Sequence, residues 1–245
     1  MALPFSPDRP LQLHLLGGVK LVGHPEADAL LTQTKRVALL AYLAVARPRG
    51  YHRRDLIATL FWPEVDTESA RTALRKAVHA VRKAIGDEVI LSRGDEELAL
   101  NRDLVWCDVD ALEAAGEAGQ FLRAIELYPG PLLPGFFADA PGFEQWLEEE
   151  REAVRQTALQ HALRYVEQLE REANLTMATQ WVRKVARLVR FEERVVRKLM
   201  QLLARAGARA DALKLYDDFA RSMRQELDAA PDAETRALAD QLRSG

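Results

Sequence analysis

Basic side chains cover one face of a segment that has the spacing of an amphipathic helix. Between residues 70 and 85, apolar residues recur every three or four positions, as on a helix that packs against a core. The opposite face, here called the cationic face, holds Arg71, Thr72, Arg75, Lys76, His79, Arg82 and Lys83. An ordinary solvated helix mixes charges to gain ion pairs one turn apart, and this face contains no acidic residue. The pattern predicts an external polyanion, such as double-stranded DNA, as the partner.

The side chains of the cationic face suit different parts of a DNA duplex. Arginine donates two parallel hydrogen bonds to guanine, so Arg71 and Arg75, near the start of the helix, are predicted to contact base edges. Thr72 and His79 are predicted to add smaller contacts to bases or phosphates. Phosphate contacts are predicted for the other cations of this region, which are Lys76, Arg82 and Lys83 on the same helix and Lys35, Arg36, Arg53 and Arg54 at the starts of the preceding helices.

Two further helices precede the cationic face and would support it. The first is predicted to start at Thr34 and to stop near Pro48, and the second covers residues 53–61. The third covers residues 66–85, carries the cationic face and ends at Gly86. In a three-helix arrangement of this kind, the third helix is the usual reader of the major groove.

Short strands are predicted on both sides of the three helices. Residues 11–22 have the alternation of a hairpin that turns at Gly17-Gly18, and residues 29–31 predict a third short strand. Residues 89–101 predict a second hairpin, with Arg93 in its turn. The order of strands, three helices and hairpin is typical of a winged helix, in which Arg93 would contact a minor groove or a phosphate from the wing.

The sequence after residue 110 has an almost entirely helical pattern. Apolar residues of one predicted helix, from Ala178 to Val189, recur 34 positions later from Ala212 to Met223, and this period is typical of tetratricopeptide repeats (TPR). The helices are predicted near residues 142–172, 175–189, 191–206, 208–226 and from about 232 onward.

The predicted fold is therefore mainly α with small β-sheets. A winged helix-turn-helix domain over residues 1–108 is followed by an all-α, TPR-like helical-repeat domain over residues 109–245. Repeat helices of this kind stack into a concave surface that binds protein or peptide.

Composition narrows the class of protein. The net charge of the 245 residues is only −3, but residues 35–83 hold eleven basic and four acidic side chains, a local charge of +7. A single cysteine, Cys107, and five histidines without metal-ligand spacing predict no disulfide, no metal site and no cofactor. The chain has no apolar run long enough for a membrane span, and Met1–Pro7 lacks the charged start of a signal peptide. A cytoplasmic protein without membrane contact is expected.

Several stretches resemble the Streptomyces antibiotic regulatory proteins, which join an OmpR-like winged helix to a bacterial transcriptional activator domain. Two of them are Asp55-Leu-Ile-Ala-Thr-Leu-Phe-Trp-Pro63 and Tyr128-Pro-Gly-Pro-Leu-Leu-Pro-Gly-Phe136. The resemblance implies an activator that binds repeated promoter elements as a homodimer and recruits RNA polymerase. The other matching stretches are residues 11–18, 35–43, 70–75, 92–95, 108–110, 143–147 and 206–213, with Tyr216.

Two other classes of function, an enzyme and an interaction scaffold or sensor, compete with a DNA-binding regulator. An enzyme is not expected, because the sequence has no phosphate-binding glycine loop, no nucleophile elbow and no metal-ligand cluster. A TPR-like interaction scaffold or ligand sensor, whose winged helix no longer binds DNA, is the alternative. The cationic face argues against this alternative, since a helix that no longer contacts DNA would tolerate acidic residues there.

Overall fold

The computed structural model describes residues 11–244, so the start of the chain, on which the signal-peptide expectation rests, lies outside the described residues. Contacts divide the chain into two compact units, with the division after Arg155. Among the described helices, none combines the length and apolar composition needed to cross a membrane. The fold is mainly α with two small sheets, a winged helix followed by a helical repeat, as the sequence predicted.

The first sheet of the first unit joins two distant parts of the chain. Strands β1 (Leu11–His14) and β2 (Lys20–Val22) form the predicted antiparallel hairpin. Strand β6 (Val105–Cys107) pairs with β1 in parallel, with Leu11 opposite Val105. The third strand predicted over residues 29–31 is wrong. These residues belong to helix α1 (Ala27–Leu31), whose Ala27 and Leu30 are buried at helical spacing.

The three predicted helices form the core of the winged helix. They are α2 (Thr34–Val45), α3 (Arg54–Phe61) and α4 (Thr67–Ile85). The Asp66 carboxylate caps α4 by accepting hydrogen bonds from the backbone N–H groups of Glu68 and Ser69, both at 3.0 Å. These bonds and the bond from the Ser69 hydroxyl hold the pKa of Asp66 below its ordinary value. Helix α4 therefore begins and ends where the sequence predicted, with Gly86 at its C-cap.

The second sheet forms the predicted wing. Strands β4 (Ile90–Arg93) and β5 (Glu97–Leu100) are antiparallel, and β5 also pairs with the short strand β3 (His52–Arg53) just before α3. Leu98 is fully buried beneath this sheet. The wing is thus attached to the start of α3 as well as following α4 along the chain.

Asp108 connects the first sheet to the helices that follow it. It is the first residue of α5 (Asp108–Glu117), and it is buried, with 3% of the residue exposed. The backbone N–H of Leu15 donates to both carboxylate oxygens, at 3.0 and 2.9 Å, and that of Leu16 donates to Oδ2 at 3.0 Å. These N–H groups follow the end of β1, so a buried carboxylate satisfies donors that no strand pairs with.

We expect Cys107, the single cysteine, to react with a thiol reagent only after unfolding. Its side chain is buried in β6, and burial raises the pKa of its thiol. In the native chain the reagent therefore cannot reach the sulfur, and the thiol stays in its unreactive protonated form. Ellman's reagent should label the native chain far more slowly than the chain in concentrated urea. Rapid labelling without denaturant would contradict the burial of β6.

Aromatic rings extend the core of the first unit from the winged helix to α7 (Pro141–Arg171). The ring centroids of Phe61 and Phe143 lie 5.0 Å apart, and those of Tyr42 and Trp146 lie 4.9 Å apart. Between α5 and α7, the short helix α6 (Phe121–Glu126) packs against α5. The start of α7 is therefore part of the core that supports α2 and α3.

Helices joined by turns and short loops make up the second unit in its described residues. After α7 it contains α8 (Leu175–Val185), α9 (Glu193–Arg205), α10 (Arg209–Leu227) and α11 (Ala233–Ser244). Ala178 and Ala212, which are 34 residues apart, are both fully buried, so neighbouring helices approach closely at equivalent positions. Helix α8 ends at Val185, four residues earlier than the periodicity predicted.

Candidate nucleic-acid interface

The cationic face of α4 consists of two rows rather than one. Thr72, Lys76, His79 and Lys83 follow one another at steps of four, three and four residues and form the outer row. Lys76, His79 and Lys83 are exposed, and within residues 11–244 they make no ion pair and no side-chain hydrogen bond. The outer row therefore presents three unengaged side chains to solvent.

The second row consists of Arg71, Arg75 and Arg82, and here it is called the flanking row. Arg71 makes a two-pronged ion pair with Asp55 of α3, with Nε–Oδ1 at 2.7 Å and Nη2–Oδ2 at 2.9 Å. The hydrogen bonds from Arg71 hold the pKa of Asp55 below its ordinary value, and the same bonds raise the pKa of Arg71. The Arg71 guanidinium plane is thus held in one orientation by Asp55.

Arg75 is held less firmly than Arg71. Its Nη2 donates to Glu68 Oε1 and to Thr72 Oγ, both at 3.0 Å. The Arg75 and Glu68 side chains are 62% and 74% exposed, so water screens this ion pair. Of the three flanking arginines, Arg75 therefore has the most weakly held partner, and its predicted base contact stays a prediction.

Arg82 fastens α4 to the wing. Its Nε and Nη2 donate to the Ile90 carbonyl at 3.1 and 2.6 Å, and Nη2 also donates to Ser92 Oγ at 2.9 Å. These bonds occupy much of its guanidinium with groups of β4, which is a structural role that the sequence did not reveal. The phosphate contact predicted for Arg82 stays a prediction.

Arg54 shares the Ser92 hydroxyl with Arg82. Its Nη2 donates to Ser92 Oγ at 3.0 Å, while within residues 11–244 its Nε is buried and makes no hydrogen bond. Burial and the nearby Arg82 lower the pKa of Arg54. Two cations thus share one hydroxyl where α3 meets the wing, and the nearby Asp95 and Glu96 partly offset their charge.

The remaining predicted contacts surround α3 and the wing. Arg53 is exposed beside Glu97 in the β3–β5 register. Arg93 is 65% exposed in its side chain, lies 3.9 Å from the Tyr51 ring centroid and pairs with Glu97 at 3.2 Å. Arg36 is half-buried on α2. The structure therefore brings Arg53, Arg54 and Arg93 to one end of α3, next to the wing.

Lys35 lies at the other end of α3. Its Nζ donates to the Phe61 carbonyl at 3.2 Å and sits 5.4 Å from the Trp62 ring centroid. A cation that bonds a C-terminal carbonyl stabilises the end of a helix. The structure thus gives Lys35 a local role in capping α3, and its predicted phosphate contact stays a prediction.

Acidic side chains line this surface and orient its arginines, a role that the sequence pattern did not predict. A cleft of about 290 Å³ between α3, α4 and the wing turn is lined by both charges, including Asp55, Glu68, Asp95 and Glu96. Asp55 and Glu68 orient the two arginines predicted to contact bases. Within the described range, no group of three His, Cys, Asp or Glu side chains could hold a metal ion.

Comparison with known proteins assigns this chain to a family. Residues 108–243 match the family model described as the bacterial transcriptional activator domain. The sequence is 28% identical over 222 residues to the regulatory protein AfsR of Streptomyces griseus, covering 84% of this chain and 22% of that protein. The chain thus spans about a fifth of the length of this curated relative.

A solved structure shares the fold. This is the structure of Mycobacterium tuberculosis EmbR in complex with a low-affinity phosphopeptide, which matches with a TM-score of 0.63 at 20% identity. The match covers 96% of this chain and 65% of that one. At this identity the likeness supports the arrangement of helices and sheets only.

Proposed function

This chain belongs to the bacterial transcriptional activator domain family, and from that premise we propose that it is a transcriptional regulator of the activator class that binds double-stranded promoter DNA through its winged helix. The resemblance to Streptomyces antibiotic regulatory proteins is confirmed. The proposed division of labour is DNA binding by residues 1–108 and activation by residues 109–245. Such a regulator would work in the cytoplasm and needs no catalytic step.

One observation carries the proposal. The outer row of α4 exposes Lys76, His79 and Lys83, which have no ion-pair or side-chain hydrogen-bond partner among residues 11–244, next to arginines that acidic side chains already orient. A surface that keeps cations unpaired loses the ion pairs that would stabilise the helix, and an external polyanion restores them. Bases would be read by Arg71 and Arg75, and phosphates would be contacted by the outer row and by Arg53, Arg54 and Arg93.

Activation would follow from placing two copies on repeated promoter elements. Repeated half-sites on DNA match a dimeric protein, because the symmetry of the site mirrors that of the protein. We therefore propose a homodimer on DNA that recruits RNA polymerase. Analytical ultracentrifugation of the chain with duplexes containing one or two elements tests the dimer, and in vitro transcription with purified polymerase tests recruitment.

The test of DNA binding begins by selecting genomic fragments that the chain retains. Binding of the selected duplex is then measured by fluorescence anisotropy at about 50 and about 200 mM salt, where six to ten phosphate contacts should cost roughly a thousandfold or more in affinity. A scrambled duplex of equal length is the control. The alternative of a TPR-like scaffold or sensor without DNA binding would be supported if no duplex bound at either salt concentration.

We expect Arg75→Ala to reduce discrimination between target and random DNA more than Lys83→Ala does. A two-pronged arginine–guanine contact contributes about 1–3 kcal/mol of discrimination, while a phosphate contact weakens every sequence alike. Competition anisotropy with the selected and the scrambled duplex measures both variants. If Arg75→Ala weakened the two duplexes equally, Arg75 would not be a base reader.

A further inference from the structure

The second unit contains a cavity that the proposed DNA-binding function does not use. Its volume is about 420 Å³, and it is lined by residues of α8, α9 and α10 and by the segment after α8. Val182, Val196, Leu203 and Phe219 form its apolar part, and each of them is buried. The cavity therefore offers an apolar interior made by the same helices that form the 34-residue repeat.

Basic side chains dominate the charged part of the lining. Two acidic residues also line the cavity, but each pairs with an arginine, Asp211 with Arg183 at 2.7 Å and Asp218 with Arg221 at 3.0 Å. Arg187 and Lys214 line it too, are exposed, and make no ion pair within residues 11–244. The mouth of the cavity thus carries two exposed cations that make no ion pair within the described chain.

The chemistry of the lining favours a small ligand over a peptide. Cavities of roughly 300–1,000 Å³, mostly apolar with a few convergent polar groups, are typical of small-molecule sites. The lining includes neither Asn nor Gln, whose amides can donate to and accept from an extended peptide backbone at the same time. A single anionic group on an apolar body matches both the interior and the cations at the mouth.

We propose that this cavity binds a small amphipathic anion, with its apolar body among Val182, Val196 and Phe219 and its carboxylate or equivalent group between Arg187 and Lys214. The inference goes beyond DNA binding and does not depend on it. It gives the activator a place where a metabolite can be sensed by the chain itself.

The test uses the full chain without DNA and compares three probes of equal chain length. Octanoate, octanol and octylammonium are titrated by isothermal calorimetry. Octanoate should bind saturably, with one site per protein molecule, and about tenfold or more tighter than octanol. The reason is that its carboxylate adds a charge-assisted hydrogen bond to the burial of the eight-carbon tail, which both probes share. Octylammonium should bind more weakly than both.

Two exposed substitutions locate the site. Lys214→Glu and Arg187→Glu should each weaken octanoate binding about tenfold or more, while leaving octanol binding unchanged. Arg236→Glu, an equal charge reversal on the exposed face of α11, is the matched control and should leave both affinities unchanged. Circular dichroism confirms that the variants stay folded.

The assignment is overturned if octanoate and octanol bind equally, if neither binds saturably, or if Lys214→Glu and Arg187→Glu act no differently from Arg236→Glu. It is also overturned if an acidic peptide such as Leu-Glu-Leu-Asp binds at this site and octanoate does not. None of these results bears on the anisotropy tests of DNA binding.

Discussion

Replacing Lys76 and Lys83 together by glutamate should weaken the binding of double-stranded DNA by about a hundredfold or more at moderate salt. Both lysines are exposed in the outer row, where each would release counterions by meeting a phosphate. Reversing their charge removes those contacts and adds repulsion from the same phosphates. The loss of affinity should be similar on the selected and the scrambled duplex. The slope of log affinity against log salt concentration should become shallower by the amount that about two phosphate contacts contribute.

The matched control reverses two other exposed cations. Lys20→Glu on β2 combined with Arg236→Glu on α11 changes the net charge by the same amount at positions outside α4. This variant should keep most of the affinity, since long-range charge is largely screened at about 0.15 M salt. Equal losses in the two double variants would show that binding follows overall charge and not the surface of α4.

Asp108→Ala should destabilise the folded chain by about 3 kcal/mol. The substitution leaves the N–H groups of Leu15 and Leu16 buried without an acceptor, and it removes an acidic group from the first turn of α5. Asp108→Asn should lose less, because its amide keeps one oxygen acceptor in the same place. Urea unfolding followed by far-ultraviolet circular dichroism measures the difference in midpoint.

Asp103→Ala provides the reference for this experiment. Asp103 is exposed in the turn before β6, so its replacement should change stability by less than about 0.5 kcal/mol. If Asp108→Ala were as mild as Asp103→Ala, the link between β1 and α5 would contribute little and some other contact would hold the sheet to the helices.

The sequence predicts the end of a helix correctly where a single residue type determines that end. Asp66 and Gly86 fix the ends of α4, because a side-chain cap and a C-cap glycine act on their own neighbours. The three successive apolar residues 29–31 carry no period, so they fit a strand or a helix equally well, and the burial of Leu30 beside α2 and α4 decides in favour of helix. The parallel pairing of β1 with β6 could not be predicted, since it joins positions 94 residues apart.

The candidate interface could be predicted in its charge but not in its internal bonds. The spacing of residues 72, 76, 79 and 83 already separates the outer row from the flanking row. The partner of Arg71 is Asp55, on another helix, and the partner of Arg82 is the Ile90 carbonyl, which every residue type possesses. A backbone acceptor leaves no mark in the sequence, so a cation counted as free for DNA is engaged by the fold.

The link from Arg82 to β4 changes what variation at that position would mean. A lysine has one terminal nitrogen at the end of a flexible stem, so it cannot reproduce the planar grip on the Ile90 carbonyl and the Ser92 hydroxyl together. Across evolution, position 82 should therefore change in step with position 92, whose side chain accepts the bond, and should not follow the operator sequence. A regulator of this architecture could acquire new target genes by altering Thr72, Arg75 or His79 while its wing remained anchored.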